Sequence, residues 1–289
     1  MTNERFASER CVLCALIALI FALPVFSQVV ALPHAFAHND YFHKRPLYDA
    51  IDNGFTHIEA DVYLRRSKLV VSHKPPILRR KRATIEGLYL KPLFSYLSNT
   101  DKLAPTSLDT MVLMIDIKSN GRKAYSALNK ILNKYKTILS TCVNGKVTIR
   151  NLTLVLTGHR PLKQLKEEES RYVFADADLR KIDTQETMPD MFTTASCKYS
   201  NLVKWKGKGE IPEDEKERLT ALVSKAHLTG TKVRLWGAPD NEVVWSFLRN
   251  CGVDLINTDR LVALKEYFIK NAQSQEPVST MPDSPASFW

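Results

Sequence analysis

Four segments of the sequence place histidine or acidic residues in or next to short apolar runs. His38 follows the first run, Glu59 and Asp61 lie within the second, His73 ends the third, and Asp116 lies within the fourth. In a β-strand the side chains at positions i and i+2 point to the same side. The carboxylates of Glu59 and Asp61 are therefore predicted to project together, and two adjacent anions in an apolar strand need a cation.

These five residues predict a metal site with an acid/base pair. An unpaired carboxylate at Asp116 would be costly in a buried strand, so a third acid beside the first two also calls for a cation. Three carboxylates are hard oxygen donors, which suit Mg²⁺ or Ca²⁺ better than zinc. We expect His38 and His73 to flank one such ion as general acid and general base.

The alternative interpretation of the acidic pair is purely structural. Glu59 and Asp61 would then form salt bridges with Arg65 or Lys118. Those salt bridges do not explain the third acid, Asp116, as well as a cation does. We therefore predict the metal site.

Short apolar runs alternate with longer amphipathic stretches through most of the chain, and buried parallel strands have this apolar character on both faces. The predicted strands are residues 33–38, 57–64, 69–73, 112–118, 152–158, 172–176, 233–237 and 253–258, with a further one at 201–205. The predicted helices are residues 46–53, 122–137, 212–228, 241–250 and 260–271.

The repeated order of strand and then helix implies a parallel sheet. We therefore predict an α/β fold, a single (β/α)8 TIM barrel, in which the carboxyl ends of all strands meet at one mouth and bring the polar residues together. An open doubly wound sheet is the alternative, but the sequence contains no glycine-rich phosphate loop of the Walker or Rossmann type.

The two ends of the chain differ from the middle. Residues 11–26 form an apolar run that only Pro24 interrupts, with Arg5 and Arg10 before it. This pattern predicts a signal peptide over residues 1–27 and a secreted or periplasmic protein, with an uncleaved membrane anchor as the alternative. The barrel is assigned to residues 28–272, close to the roughly 250 residues that such barrels need. Residues 273–289, rich in Ser, Pro and Gln, are predicted to be a disordered tail.

The charge of the chain favours anionic partners. Its formal net charge is +10, and residues 79–82 are the densest basic run. Such a balance suits a phosphate ester or an anionic membrane surface, whereas a merely solvated surface is the alternative for most of the lysines. We expect no specific nucleic acid partner and a monomer. Cys142, Cys197 and Cys251 cannot form a disulfide framework and are predicted to be small buried side chains.

Several short motifs occur in an order that a known superfamily shares. They are His38-Asn39-Asp40, Glu59-x-Asp61, His73, Asp116-x-Lys118, Trp236, Gly252-Val253-Asp254 and Thr258-Asp259. Together they resemble the glycerophosphodiester phosphodiesterase and phosphatidylinositol phospholipase C-like superfamily. Residues 37–41, followed by Arg45-Pro46-Leu47 and Gly54, are more similar to the branch named "altered inheritance of mitochondria". The resemblance runs from about His38 to Leu264 and implies a TIM barrel that hydrolyses or cyclises a phosphodiester.

The resemblance implies a role for each of the five residues. His38 and His73 match the two catalytic histidines, and Glu59 and Asp61 match the first pair of metal ligands. Asp116 falls where many of these diesterases have Glu, and sphingomyelinase D-type toxins resemble this chain in having Asp there.

The resemblance also implies substrate contacts. Lys118 matches a phosphate-neutralising lysine, and Trp236 matches a tryptophan at the barrel mouth. The motif departs at Asn39, because glycerophosphodiesterases have His-Arg-Gly where this chain has His-Asn-Asp, which argues against carrying over their substrate specificity. We count Asn39 among the substrate-binding residues. Arg234, two residues before Trp236, is predicted to supply the missing phosphate contact.

The predicted function is therefore a metal-dependent phosphodiesterase that uses one Mg²⁺ or Ca²⁺ ion. It would act outside the cytoplasm on a phospholipid or its headgroup diester, with His38 as base and His73 as acid. One alternative is a related barrel that binds a phosphorylated or lipid ligand without turnover. Another is a basic surface protein that binds nucleic acid or envelope polyanions.

Overall fold

A computed structural model describes residues 29–76, 83–98, 110–184 and 188–273 of the chain. The chain divides into two units, Met1–Val30 and Ala31–Trp289. Apart from Val29 and Val30, the first unit lies outside the described residues, as do the predicted signal peptide, the basic run at 79–82 and residues 274–289.

The strands of the described residues, in chain order, are β1 (Leu32–Ala37), β2 (Phe55–Arg65), β3 (Lys68–Val71), β4 (Met111–Ile117), β5 (Thr141–Val143), β6 (Lys146–Thr148), β7 (Leu152–Gly158), β8 (Ser170–Arg171), β9 (Val173–Asp178), β10 (Phe192–Lys198), β11 (Lys232–Trp236) and β12 (Ile256–Thr258). The α-helices are α1 (Tyr48–Asp52), α2 (Lys91–Ser98), α3 (Gly121–Leu132), α4 (Leu162–Glu167), α5 (Glu213–Leu228), α6 (Glu242–Asn250) and α7 (Leu261–Gln273). A π-helical turn, Glu86–Leu90, precedes α2, and short 3-10 helices occur at Asp40–Phe42, Asn133–Tyr135, Leu179–Lys181 and Tyr199–Asn201.

Eight parallel strands form a barrel. Their order is β11, β10, β9, β7, β4, β2, β1 and β12. A parallel bridge between Arg234 and Leu255 joins the two ends of this series. The predicted TIM barrel is thus confirmed, and β3 is an addition that forms an antiparallel hairpin with β2.

The alternation of side chains along the strands separates two apolar clusters. Along β2, Ile58, Ala60 and Val62 belong to the large cluster between the barrel and its helices. A smaller cluster fills the barrel with residues from several strands, among them Phe36, Met114, Val155, Phe174 and Leu255. Because Glu59 and Asp61 have the opposite parity to Ile58, their carboxylates point into the barrel above this interior cluster.

A small antiparallel sheet closes the amino end of the barrel. Its strands lie in the order β6, β5 and β8. Cys142 of β5 packs into the interior cluster beside Val112, which lies at the beginning of β4. The amino end is thereby covered, which leaves the carboxyl ends of the strands as the accessible mouth.

Strand β10 differs from the prediction. The strand predicted at 201–205 is wrong, because a 3-10 helix ends at Asn201 and irregular chain follows it. The actual strand, Phe192–Lys198, carries Thr194 and Ser196, whose hydroxyls turn inward and donate to the buried carboxylate of Asp176. Its inward face is therefore polar, and the apolar pattern used to find the other strands does not detect it.

The three cysteines of the described residues, Cys142, Cys197 and Cys251, are buried and form no disulfide. This confirms the prediction that they are small buried side chains. Across the described ranges, no helix combines the length and the apolarity that crossing a bilayer would require.

Candidate active site

A cavity of about 420 Å³ opens at the carboxyl ends of the barrel strands. All nine residues predicted for the site line it: His38, Asn39, Glu59, Asp61, His73, Asp116, Lys118, Arg234 and Trp236. They come from the ends of β1, β2, β4 and β11 and from the segment after β3, because parallel strands direct their carboxyl ends to one side.

Three carboxylates meet at the floor of this cavity. Asp61 and Asp116 are register partners on the neighbouring strands β2 and β4, and Glu59 lies two residues deeper on β2. One carboxylate oxygen of each residue lies within 4.8 Å of the others. A single cation could therefore contact all three side chains.

Asp116 is held against a glycine. A Cβ atom built on Gly158, which follows Thr157 on β7, would overlap Asp116 Oδ1. This oxygen is buried and has no hydrogen-bond partner among the described residues. Burial raises the pKa of Asp116, although the ammonium of Lys118, 2.6 Å from Oδ2, opposes the increase. One ligand position of this carboxylate is thus left for something other than protein.

Arg234 neutralises Glu59. The two terminal nitrogens of its guanidinium donate to the Glu59 carboxylate over 3.1 and 3.3 Å, and one of them also donates to Asn257. Burial alone would raise the pKa of Glu59, but Arg234 and His38 lower it below its usual value. Arg234 lies beneath the site, with its guanidinium stacked 4.3 Å from the centre of the Phe36 ring. In this arrangement its hydrogen bonds orient a carboxylate, and a contact between Arg234 and phosphate stays a prediction.

The donor set fits a hard divalent cation. Lys118 lies 3.4 Å from Asp61 Oδ2 and so compensates part of the cluster, while Arg65 instead donates to the carbonyl of Pro76. Even with these partners, Asp116 Oδ1 remains buried and unsatisfied within the described part of the chain. A buried carboxylate oxygen without a donor is costly, and carboxylate oxygens are ligands that Mg²⁺ and Ca²⁺ accept.

His38 is oriented by an acid from the far end of the chain. Its Nδ1 lies 2.9 Å from Asp259 Oδ1, and its Nε2 lies 3.7 Å from Glu59 Oε2. A carboxylate only accepts, so Nδ1 carries the proton and Nε2 is left for proton exchange. Burial lowers the pKa of His38, but the hydrogen bond to Asp259 and the charge of Glu59 outweigh it and raise the pKa.

His73 is oriented in the same way by a different carboxylate. Its Nδ1 lies 2.8 Å from Asp61 Oδ2, and its Nε2 has no anionic partner among the described residues. The hydroxyl of Tyr41 lies 2.9 Å from the same oxygen and 2.7 Å from Asn39 Oδ1. Burial and the negative charge of Asp61 raise the pKa of Tyr41, so the phenol remains a neutral donor.

Two of these supporting residues were not among the predicted site residues. Tyr41 lies two residues after Asn39, which adopts the left-handed conformation (φ 47°) that asparagine tolerates. Asp259 follows the last barrel strand. Tyr41 and Asp259 both follow the carboxyl end of a barrel strand, close to predicted site residues. This position in the sequence could have identified them.

Another part of the cavity wall comes from β7, β9 and β10, which follow β4 in the strand order. It includes four charged side chains that were not among the predicted site residues: Asp176, Asp178, Arg180 and Lys198. Arg160, also on this wall, follows Gly158. The missed strand β10 ends at Lys198, which explains why that residue was not predicted.

Known proteins resemble the chain over most of its length. The "Altered inheritance of mitochondria protein 6 homolog" of Arthroderma benhamiae is 27% identical over 269 residues, which are 83% of this chain and 85% of that protein. "Altered inheritance of mitochondria protein 6" of Lachancea thermotolerans is 28% identical over 280 residues, which cover 81% of this chain and 65% of that longer protein.

Among solved structures, a glycerophosphodiester phosphodiesterase from Parabacteroides distasonis is similar in fold. The TM-score is 0.50 at 17% sequence identity, and the match covers 84% of this chain and 98% of the other. At that identity the likeness supports the barrel fold alone.

A family profile described as "AIM6-like phosphodiesterase domain" matches residues 25–176. The matched region is more than half of the 289 residues and contains His38, Glu59, Asp61, His73 and Asp116. The chain therefore belongs to the family of AIM6-like phosphodiesterase domains.

Proposed function

We propose that this protein is a metal-dependent phosphoric diester hydrolase, or a cyclising phosphodiesterase, that acts on a phospholipid or its headgroup diester. The observation that carries the proposal is the cluster of Glu59, Asp61 and Asp116, with one buried oxygen unsatisfied among the described residues. The cluster lies between two histidines that are each held by a carboxylate. We place the activity outside the cytoplasm because of the apolar run at residues 11–26.

Glu59, Asp61 and Asp116 would hold the cation. A bound Mg²⁺ or Ca²⁺ ion would offset the negative charge of a non-bridging phosphate oxygen. Lys118 reaches the edge of the carboxylate cluster, with its ammonium between Asp61 and Asp116. From there it can donate to a phosphate oxygen and stabilise the charge that builds up in the transition state.

The histidines would move the protons. One Nε2 accepts a proton from a water molecule or from a neighbouring hydroxyl of the substrate, and the other gives a proton to the departing alkoxide. Asp259 holds His38 and Asp61 holds His73, so both rings keep a fixed tautomer. Attack by water yields a hydrolysed product, and attack by a substrate hydroxyl yields a cyclic phosphate.

Trp236 stands at the entrance with 40% of its surface exposed. Its ring is available to a substrate headgroup, as an aromatic side chain at a cavity mouth often is. Asn39 borders His38, with its amide nitrogen 3.2 Å from Nε2. These two residues would contact the parts of the substrate on either side of the phosphate.

The direct test is a substrate screen. The purified full chain is incubated with Mg²⁺ or Ca²⁺ and a panel of phosphodiesters, and the products are identified by phosphorus NMR. We expect turnover that stops on addition of EDTA and returns with excess metal. Turnover that EDTA leaves unchanged would contradict the proposal, as would the absence of turnover across the panel.

The two histidines are expected to respond differently to the leaving group. Replacing the general acid by Ala should cost about a hundredfold to ten-thousandfold in kcat on an alkyl diester. The same variant should lose much less on a p-nitrophenyl diester, because p-nitrophenolate leaves with little need of a proton. Replacing the general base should slow both substrates equally.

The measurement compares His38→Ala and His73→Ala on the two diesters. We expect His38 to be the base and His73 to be the acid, and exchanged patterns would reverse that assignment. His227→Ala is the matched control, because His227 pairs with Asp254 away from the cavity. The acid/base proposal fails if both site variants retain full activity on the alkyl diester.

A further inference from the structure

One half of the cavity has no part in the proposed mechanism. The carboxylates that would hold the metal stand on β2 and β4, with Lys118 beside them. Continuing around the barrel from β4, strands β7, β9 and β10 contribute Arg160, Arg180 and Lys198 at or just after their carboxyl ends. This wall is rich in cations, and its charges are not all balanced.

Three charged side chains of this wall are already satisfied. Arg180 donates to both oxygens of Asp178, over 2.9 and 2.7 Å, so that this pair is neutral. The buried carboxylate of Asp176 accepts hydrogen bonds from three hydroxyl groups, those of Thr157, Thr194 and Ser196. Neither Arg180 nor Asp176 therefore requires a ligand.

Arg160 is not satisfied. Its Nη1 makes one long hydrogen bond, 3.4 Å, to the carbonyl of Gly158. Its Nε is buried and has no acceptor among the described residues. A buried N–H of a cation is costly unless an acceptor reaches it, so the guanidinium of Arg160, which lines the cavity, has hydrogen-bonding capacity left for an anion.

Lys198 is a second cation without an anion. Its ammonium lies 5.9 Å from the centre of the Trp236 ring, and it meets no carboxylate in the described ranges of the chain. A contact with an aromatic face is favourable but leaves the positive charge uncompensated. Lys198 and Arg160 thus both direct uncompensated positive charge to the cavity that they line.

We propose that Arg160 and Lys198 form a second anion subsite, so that the preferred substrate is a phosphodiester with a further carboxylate or phosphate group. This inference rests on the proposed function. The cation held by the carboxylate cluster and the ammonium of Lys118 would contact the scissile phosphate. Arg160 and Lys198 are then available to another negative group of the substrate. Substrate selection would then come from charge on the side of the diester that faces Arg160.

The test uses substrates that differ by one charged group. Glycerophosphoserine and glycerophosphoethanolamine differ by a carboxylate, and glycerophosphoinositol with and without a 4-phosphate differs by a phosphate. We expect the more anionic member of at least one pair to have the higher kcat/KM, and the pair that shows it tells carboxylate from phosphate. If neither pair shows a preference, the subsite does not exist.

Variants assign the preference to its residues. Lys198→Met and Arg160→Gln should each raise KM for the preferred anionic substrate about tenfold, which is the loss of one hydrogen bond between charged groups. Its less charged partner should be little affected, and Lys198→Arg should retain the preference. The control is Lys206→Met, because Lys206 is exposed and outside the cavity. An equal loss for both members of the pair would overturn the inference.

A binding measurement tests the anion subsite independently of the proposed catalytic function. If the wild type turns over no diester, the proposed function fails, and calorimetry with O-phosphoserine and O-phosphoethanolamine still tests the subsite. Tighter binding of O-phosphoserine that is lost in Lys198→Met supports the subsite. Equal affinities, or a difference that survives the substitution, overturn it.

Discussion

Replacing Asp116 by Asn is expected to lower metal-dependent kcat/KM by about a thousandfold, or about 4 kcal/mol of transition-state stabilisation. Asn keeps the size of the side chain but removes its charge, and it can place a nitrogen where Oδ1 now lies without a partner among the described residues. Lys118 would lose the anion that lies 2.6 Å from its ammonium. The measurement is kcat/KM together with a calorimetric titration of the variant with Mg²⁺ and Ca²⁺.

Asp178→Asn is the matched control for this experiment. Asp178 lines the same cavity from β9 and pairs with Arg180, but it is not part of the carboxylate cluster. Its replacement should leave metal affinity unchanged. If Asp116→Asn binds the cation as tightly as the wild type does, Asp116 is not a ligand, and the assignment of the cluster is wrong.

Replacing Gly158 by Ala is expected to have a comparable effect on activity, although Gly158 carries no reactive group. The added Cβ would overlap Asp116 Oδ1 and lie 2.7 Å from the carbonyl oxygen of Ile117. Both are parts of β4, so either the acid or the strand must move. Since Gly158 has a φ of 67°, Ala would also carry a backbone cost of about 1–2 kcal/mol.

The expected result for Gly158→Ala is a lower midpoint of thermal unfolding together with weaker metal binding. Gly145→Ala separates the two causes, because Gly145 has a φ of 76° but no atom lies within 4 Å of the position of its Cβ among the described residues. That variant should lose stability through its backbone alone and retain metal affinity. If both variants bind metal like the wild type, the close contact with Gly158 does not position Asp116.

The two variants of β4 and β7 test different properties of one carboxylate. Asp116→Asn changes its charge in place, whereas Gly158→Ala leaves its charge and changes its position. Metal affinity that falls in both variants would show that the ligand must be both ionised and correctly placed, as coordination by a hard cation requires.

Much of the barrel could be predicted because its strands obey local rules. Apart from Asp116, Met111–Ile117 is apolar on both faces, and buried parallel strands are known by that character. Strand β10 lacks this apolar pattern, because Thr194 and Ser196 turn toward the carboxylate of Asp176, which lies 18 and 20 residues away in the sequence. A partner at that separation cannot be identified from the local pattern.

The site residues divide in the same way. Glu59 and Asp61 were predicted to share a side because the period of a strand is two residues, and acids in an apolar strand are conspicuous. Asp259 lies 221 residues from the histidine that it orients, and Arg234 lies 175 residues from Glu59. No spacing rule connects such pairs. The role of Arg234 as a partner of Glu59 therefore became visible only when β2 and β11 were placed across the barrel.

The amino-acid sequence was enough to identify the residues that are chemically suited to the site and most of the strands that carry them. Strand period and burial cost are local properties that each segment expresses without knowledge of the rest. The tertiary structure alone decided which side chains compensate one another. It paired Arg234 with Glu59, brought Gly158 against Asp116, and left Arg160 and Lys198 without an anion among the described residues. Electrostatic compensation depends on distances across the barrel, and closure of the barrel sets those distances.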